Sequence, residues 1–210
     1  KGHSVEALYT VLLDCGFYKE EDLRTLNDFN SHFIGHPTKK VLGVEHNTGA
    51  LGHGLSVAVG MALGLKMDQK KHQVYALLGD GELSEGSVWE AAMTASKYEL
   101  ENLTAIIDRN RLQITGSTEE VNPIEPLQDK FLSFGFNVIE VKGNDIVSLV
   151  EVFNQPKKEK NKPNLIIANT TKGAGISFME NQVSWHHKVP SQSEYDLAIH
   201  ELNEAFENVQ

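Results

Sequence analysis

The chain has 210 residues, 40% hydrophobic and 23% charged, with a formal net charge of −10. That acidity argues against a nucleic-acid or anionic-membrane partner, since either requires clustered Lys and Arg to neutralise phosphate. A single cysteine, Cys15, excludes an internal disulfide framework and a cysteine-rich zinc site, and it fits a reducing compartment, the cytoplasm.

The first strongly patterned stretch, Leu51 to Met67, is mostly apolar but carries His53 and is too short for a membrane span, so it reads as a buried helix. It is rich in small residues: Gly54, Ser56, Ala58, Gly60, Ala62 and Gly64. Glycine costs about 1 kcal/mol against alanine in a helix interior, so a close neighbour is the expected compensation. Tight packing within the domain, a subunit interface and a cofactor remain open as that neighbour.

Val74 to Leu78 forms a short apolar strand that ends on Gly79-Asp80-Gly81. Asp-Gly signals a hairpin when strands flank it on both sides. Here Leu83, Val88, Ala91, Ala92 and Ala95 recur at helical spacing, so the turn joins a strand to a helix over Gly86 to Tyr98. Further strands follow over Leu103 to Ile107, Phe136 to Val141 and Leu165 to Asn169, with helices over Leu127 to Phe134 and Asp145 to Phe153. The proline-bracketed basic run Pro156 to Pro163 reads as a solvated loop. There is no internal repeat and no low-complexity segment. This alternation predicts an α/β fold, a doubly wound and mostly parallel sheet with helices on both faces, binding ligands beyond the carboxyl ends of its strands.

Asp80 and Asn110 each sit just past a predicted strand end. If those strands are neighbours, about 4.8 Å apart, both residues share one rim of the sheet. A carboxylate with an amide oxygen is hard-ligand chemistry suited to Mg²⁺ or Ca²⁺, and Mg²⁺ commonly completes its shell with phosphate oxygens and water. Gly79 permits a sharp exit from the strand, and Gly81 lets a phosphate approach the backbone at a helix N-terminus. Neither a P-loop nor a dinucleotide fingerprint occurs.

The pattern G-D-G, helix, apolar strand, Asn resembles the thiamine diphosphate-binding motif. "KGHSVEALYTVL", "GHPTKKVLGVEHNTGALGHGLSVAVGMALGL", "LLGDGELSEGSVWEAAMTASKYELENLTAIIDRNRLQITG" and "TTKGAGISFMENQVSWHHKVP" extend the resemblance to transketolase, specifically its N-terminal, diphosphate-binding domain. The resemblance implies that Asp80, Asn110 and the carbonyl of Leu112 hold Mg²⁺ (or Ca²⁺). It implies that Gly79, Asp80, Gly81, Glu82, Asn110 and His186 contact thiamine diphosphate, and that Gly49, Ala50 and Leu51 lie against its rings. His3, His36 and His186 fall on catalytic family positions around the thiazolium C2 and the sugar hydroxyls, where neutral imidazole orients hydroxyls and shuttles protons. Glu85 matches an acidic residue at the contact between protomers.

Departures from the family occur at His53, where glutamine is common, at His46, an extra imidazole, at Ala174 for lysine and at His187 for glycine. They leave substrate identity open. A zinc reading of His32 with His36, or of His186 with His187, fails on context: Gly35 and Pro37 deny the first pair a helical face, and no cysteine or H-E-x-x-H glutamate completes either site. Residues 1–210 read as one diphosphate-side domain that starts inside the KGH motif, without the family's first helical segment. The pyrimidine-binding half is not in this sequence, so the resemblance implies one subunit of a split transketolase. Its partner would be a second subunit with pyrimidine-binding and C-terminal domains, in a heterotetramer that acts on sugar substrates. The alternatives are a thiamine-dependent relative with another donor or acceptor, and a non-catalytic subunit that kept the fold.

Overall fold

The computed structural model describes residues 1–155 and 160–207; Pro156 to Glu159 of the basic loop lie outside the described residues. Along the chain come α1 (Val5–Asp14), α2 (Glu20–Leu23), α3 (His53–Met67), β1 (Val74–Gly79), α4 (Gly86–Lys97) and β2 (Leu103–Arg109). A small hairpin follows, β3 (Leu112–Gln113) with β4 (Gly116–Ser117), then α5 (Thr118–Val121) and α6 (Leu127–Ser133). The chain continues through β5 (Asn137–Lys142), α7 (Ile146–Asn154), β6 (Asn164–Asn169) and α8 (Gln192–Glu207).

β1, β2, β6 and β5 form one parallel sheet in that order. Parallel neighbours need crossovers, and here α4 links β1 to β2 while α7 links β5 to β6. The central strands β2 and β6 are apolar along most of their length because both faces are covered, whereas β1 alternates. In β1, Ala76 and Leu78 are buried while Tyr75 and Leu77 stay exposed. One face of the sheet carries the main core, where Leu55 and Ala62 of α3, Ala91 and Ala95 of α4 and Phe131 of α6 pack on Leu78, Ile107 and Leu165. On the other face, Leu149 and Val152 of α7 cover Ile166 and Ala168. The doubly wound architecture expected from the sequence is therefore present.

The small residues of α3 divide by face. Ala58 and Ala62 are buried against the core, but among the described residues added Cβ atoms at Gly54, Gly60 and Gly64 would meet nothing within 4 Å outside their own stretch of helix. Tight packing within the chain thus accounts for the alanines and not for these glycines.

Sequence periodicity did not predict α1, α2, α8 or the β3–β4 hairpin. A separate small cluster organises the N-terminal part: Val5, Tyr9 and Val41 pack with Tyr18, Leu23 and Phe33. The Tyr9 hydroxyl donates to the Ile34 carbonyl at 3.1 Å and the Tyr18 hydroxyl donates to the Tyr9 carbonyl at 2.6 Å. These contacts set the segments that carry His3 and His36 beside each other.

Candidate active site

Gly79 pairs with Asp108 in the parallel register of β1 and β2, so Asp80 and Asn110 follow neighbouring strand ends on one rim, as their spacing predicts. Asp80 is 1% exposed. Its Oδ1 accepts from Gly81 N–H at 2.9 Å, and its Oδ2 accepts from Arg109 Nη1 at 3.1 Å and from Arg111 N–H at 2.5 Å. Asn110 Oδ1 accepts from Leu112 N–H at 3.0 Å, and its Nδ2 donates to Asp108 Oδ1 at 3.3 Å. The turn differs from expectation in one respect: a 3-10 helix, Gly81–Ser84, precedes α4, and the Gly81 N–H that was expected to face a phosphate already bonds Asp80.

Arg109, equally buried, is the hub beneath this rim. Besides Asp80 it donates to Thr118 Oγ1 at 2.7 Å, to Glu119 at 3.0 Å and to Glu125 at 2.8 Å. Burial disfavours its charge, yet the hydrogen bonds to Glu125 and Asp80 outweigh that cost and hold its pKa above the usual guanidinium value.

Over the rim lies a cleft of about 470 Å³. Of the residues expected at the site, His3, Leu51, Gly79, Asp80, Gly81, Glu82, Asn110, Leu112 and His186 line it. His36, Gly49 and Ala50 do not: the His36 ring instead packs so closely on Gly2 and Gly49 that a Cβ on Gly49 would sit 3.0 Å from its Cδ2. Gly49 has φ +137°, which adds a backbone reason for glycine there. Glu82 lines the cleft but both its oxygens are engaged as a brace, accepting from Gly52 N–H at 2.9 Å and Gly79 N–H at 3.2 Å. The Gly52 carbonyl in turn accepts from Ser87 Oγ at 2.9 Å, so the turn that starts α3 is tied to the end of β1 and the start of α4.

Four imidazoles gather at the mouth. The His3 ring lies 5.5 Å from that of His36, 5.3 Å from His186 and 5.7 Å from His187, and His186 and His187 are 4.8 Å apart. His186 Nε2 and His3 Nδ1 are 3.3 Å apart, while His186 Nδ1 is buried and has no hydrogen-bond partner among the described residues. Burial first, then the charges of Lys172, His187 and His3, push the His186 pKa from its ordinary 6.5 to about 4. Burial also lowers His3, assisted by His36 and His187. His46 and His53 are exposed, and His53 Nδ1 lies 3.0 Å from its neighbour Leu51's carbonyl.

Several cleft residues were missed in the sequence: Lys1, Ser4, Gln113, Ile114, Thr115 and Lys172. Lys172 follows the end of β6 by three residues, and a cation just past a strand end is the signal that could have found it. Its pKa is lowered by burial and by Lys1, against the pull of Asp108 and Asp80. Lys1 Nζ and Thr170 Oγ1 both donate to Asp108; burial raises that carboxyl's pKa, but these partners leave it below the usual carboxylate range. Gln113 leans over Gly81, where a Cβ would come within 3.0 Å of its Oε1.

A parallel α/β sheet with a histidine-rimmed cleft at the carboxyl ends of two adjacent strands is the arrangement in which open α/β domains bind their ligands. The profile of the family described as "Transketolase, thiamine diphosphate binding domain" matches residues 1–202. One subunit of the apulose-4-phosphate transketolase of Phocaeicola vulgatus is 49% identical over 100% of this chain and 75% of its own length. The 6-deoxy-6-sulfo-D-fructose transketolase subunit SqwG of a Clostridium species is 40% identical over 96% of this chain and 74% of its own. Among solved structures, a transketolase mutant of Pichia stipitis complexed with fructose 6-phosphate superposes with a TM-score of 0.88 at 30% identity, covering 96% of this chain and 32% of that one. Transketolase from Campylobacter jejuni gives 0.81 at 33% identity, covering 88% and 30%. The chain spans about a third of these solved transketolases. It belongs to the transketolase family as a thiamine diphosphate-binding domain, and is a transketolase-like transferase component.

Proposed function

We propose that this chain is the diphosphate-binding subunit of a Mg²⁺-dependent transketolase that moves a two-carbon ketol unit from a ketose or ketose phosphate to an aldose or aldose phosphate. The observation that carries the reading is the joining, in one cleft, of the Asp80–Asn110 rim with the His3–His186 pair. The donor set fits the group. Asp80 Oδ1 and Asn110 Oδ1 each accept one protein hydrogen bond among those described and retain a lone pair; with the carbonyl of Leu112, which lines the same cleft, they would supply hard oxygen donors to a cation. Lys172 lines the same cleft and would offer an amine to an anionic group bound there. Leu51 lines the cleft where the rings would pack.

Bound thiamine diphosphate supplies the nucleophilic carbon and the electron sink for breaking and making the carbon–carbon bond. The chain's own residues position and protonate. With its pKa lowered by burial to about 4, His186 is a neutral imidazole at physiological pH; its Nδ1 is buried, so Nε2, which faces His3, is the nitrogen able to donate to a sugar oxygen. His3 relays or accepts the proton at Nδ1, and His36 supports the ring of His3 from the Gly2–Gly49 side.

Relatives that are themselves named as transketolase subunits support a second polypeptide, here one with pyrimidine-binding and C-terminal domains, assembled as a heterotetramer. Residues 1–210 then act as a single diphosphate-side domain. The cytoplasm is the compartment that fits the lone cysteine, and no helix among the described residues is long and apolar enough to cross a membrane.

One observation favours a specialised donor or acceptor: the His187 imidazole, at a position where the family usually has glycine, packs on His186 and His3 at the mouth. A ketose panel including apulose 4-phosphate and 6-deoxy-6-sulfofructose, assayed with the partner-bound chain, tests the reading. Ketol transfer from at least one donor supports it. No transfer from any donor, with cofactor and metal present, makes a non-catalytic role the better account.

A further inference from the structure

The segment that runs from β6 to α8 brings two side chains to the cleft, Lys172 and His186, and its one regular piece is a 3-10 turn, Val183–His186. Irregular segments open locally unless other elements tie them down. The neck of this one is pinched: Asn181 N–H donates to the Lys172 carbonyl at 2.9 Å, and a Cβ on Gly173 would come within 2.6 Å of the Met179 carbonyl oxygen. From outside, α8 grips it at two points. Glu201 accepts from Ser177 twice, from the N–H at 2.7 Å through Oε2 and from the hydroxyl at 2.6 Å through Oε1. Glu194 pairs with Lys188, whose Nζ stands 4.1 Å from the centre of the Trp185 ring, the residue before His186. Ala198 is the buried residue of α8, and none of its residues belongs to the hydrophobic clusters among the described residues. The helix is thus tied to the site segment more than to the core.

We propose that Glu201 is a positioning residue that splints the Lys172–His186 segment through Ser177, so that α8 fixes where the His186 imidazole stands in the cleft. Two charge-assisted bonds from one carboxylate to one residue set both its place and its orientation. His186 depends on that placement, because its Nδ1 is enclosed with no hydrogen-bond partner among the described residues. Burial and then the charge of Lys172, carried by the same segment, are the leading causes of its lowered pKa. Releasing Ser177 relaxes both. The sign of the change is informative: loss of a carboxylate charge alone lowers the pKa of a histidine, whereas loss of enclosure raises it.

For turnover the inference rests on the role proposed for His186, whereas the splint itself is measured in the chain alone. Proton NMR titration of the imidazoles in the full chain reads it, with circular dichroism reporting that each variant is folded. Glu201→Ala should raise the His186 pKa by about one unit or more, toward 6.5, and leave the exposed His46 and His72 unshifted. Glu201→Gln can still accept from the Ser177 N–H and donate to its hydroxyl oxygen, so it should stay near the wild type. Ser177→Ala, which keeps the N–H bond alone, should fall between, and it decides the matter where Glu201→Ala does not fold. In the partner-bound enzyme Glu201→Ala should lower kcat/KM by up to about 10², with Glu201→Gln restoring it. An unshifted His186 in Glu201→Ala, or an equal shift in Glu201→Gln, overturns the inference. A shift with no loss of kcat/KM overturns the positioning role. Absence of ketol transfer in the wild type, with cofactor and metal present, overturns the proposed function, and the His186 titration still decides the splint.

Discussion

His186 Nε2 faces His3 Nδ1 at 3.3 Å, although 183 positions separate the two residues in the chain. The contact joins the segment after β6 to the one before α1, and one of the two nitrogens must donate to the other. A neutral, oriented pair at the cleft is what proton transfer to a sugar hydroxyl requires. His186→Ala should therefore lower kcat/KM by about 10² to 10⁴ while thiamine diphosphate binding survives. Steady-state kinetics with one active donor and acceptor pair, alongside a cofactor titration, check both parts.

The depressed pKa of His186 also makes a stability prediction. The folded chain protonates this ring near 4 and the unfolded chain near 6.5, so between those values the unfolded state takes up more protons. Stability contributed by the neutral ring is complete above about pH 6.5 and is lost as pH falls toward 4. Urea unfolding at pH 7 and pH 5 should show a smaller pH-dependent loss in His186→Gln than in the wild type.

His187 is exposed, and a side chain directed away from the site would make His187→Gly nearly silent. The structure places its ring 4.8 Å from His186 and 5.7 Å from His3, and its charge helps to lower both pKa values. His187→Gly should raise the His186 pKa, visible in proton NMR titration, and change kcat/KM selectively for one substrate partner. Identical kinetics across a donor and acceptor panel would show that the ring takes no part in selection.

Glu82 is better understood as a brace than as a cofactor contact, since its two oxygens hold Gly52 and Gly79. Glu82→Ala strands these two amide groups, and the expected loss of stability is about 2–4 kcal/mol. Chemical denaturation should show it in the chain alone, with no cofactor present. A stability equal to wild type, with only cofactor binding weakened, would return Glu82 to the cofactor.

The sheet was legible because its strands are apolar runs separated by helices of clear period. Asp80 and Asn110 could be placed on one rim because neighbouring parallel strands fix where their ends lie. α1 and α2 were not legible: their cluster is small, and it forms only when Val41 and Phe33 return from elsewhere in the chain. The roles of Glu82 and Arg109 were likewise hidden, because each depends on hydrogen bonds to residues 10 to 30 positions away that no local pattern encodes. His36 matched a family motif, yet its ring packs against glycines and His3 rather than lining the cleft, a distinction of side-chain direction that a motif does not carry.

In the function proposed above, the rim formed by Asp80 and Asn110 holds the metal-bound diphosphate. Titration calorimetry of thiamine diphosphate with Mg²⁺ into the partner-bound chain tests it most directly, comparing the wild type with Asp80→Ala and Asn110→Ala. Cofactor affinity should fall by about 10² or more in Asp80→Ala, which removes the formal charge, and by less in Asn110→Ala. Unchanged affinity in both variants would remove Asp80 and Asn110 from the cofactor site.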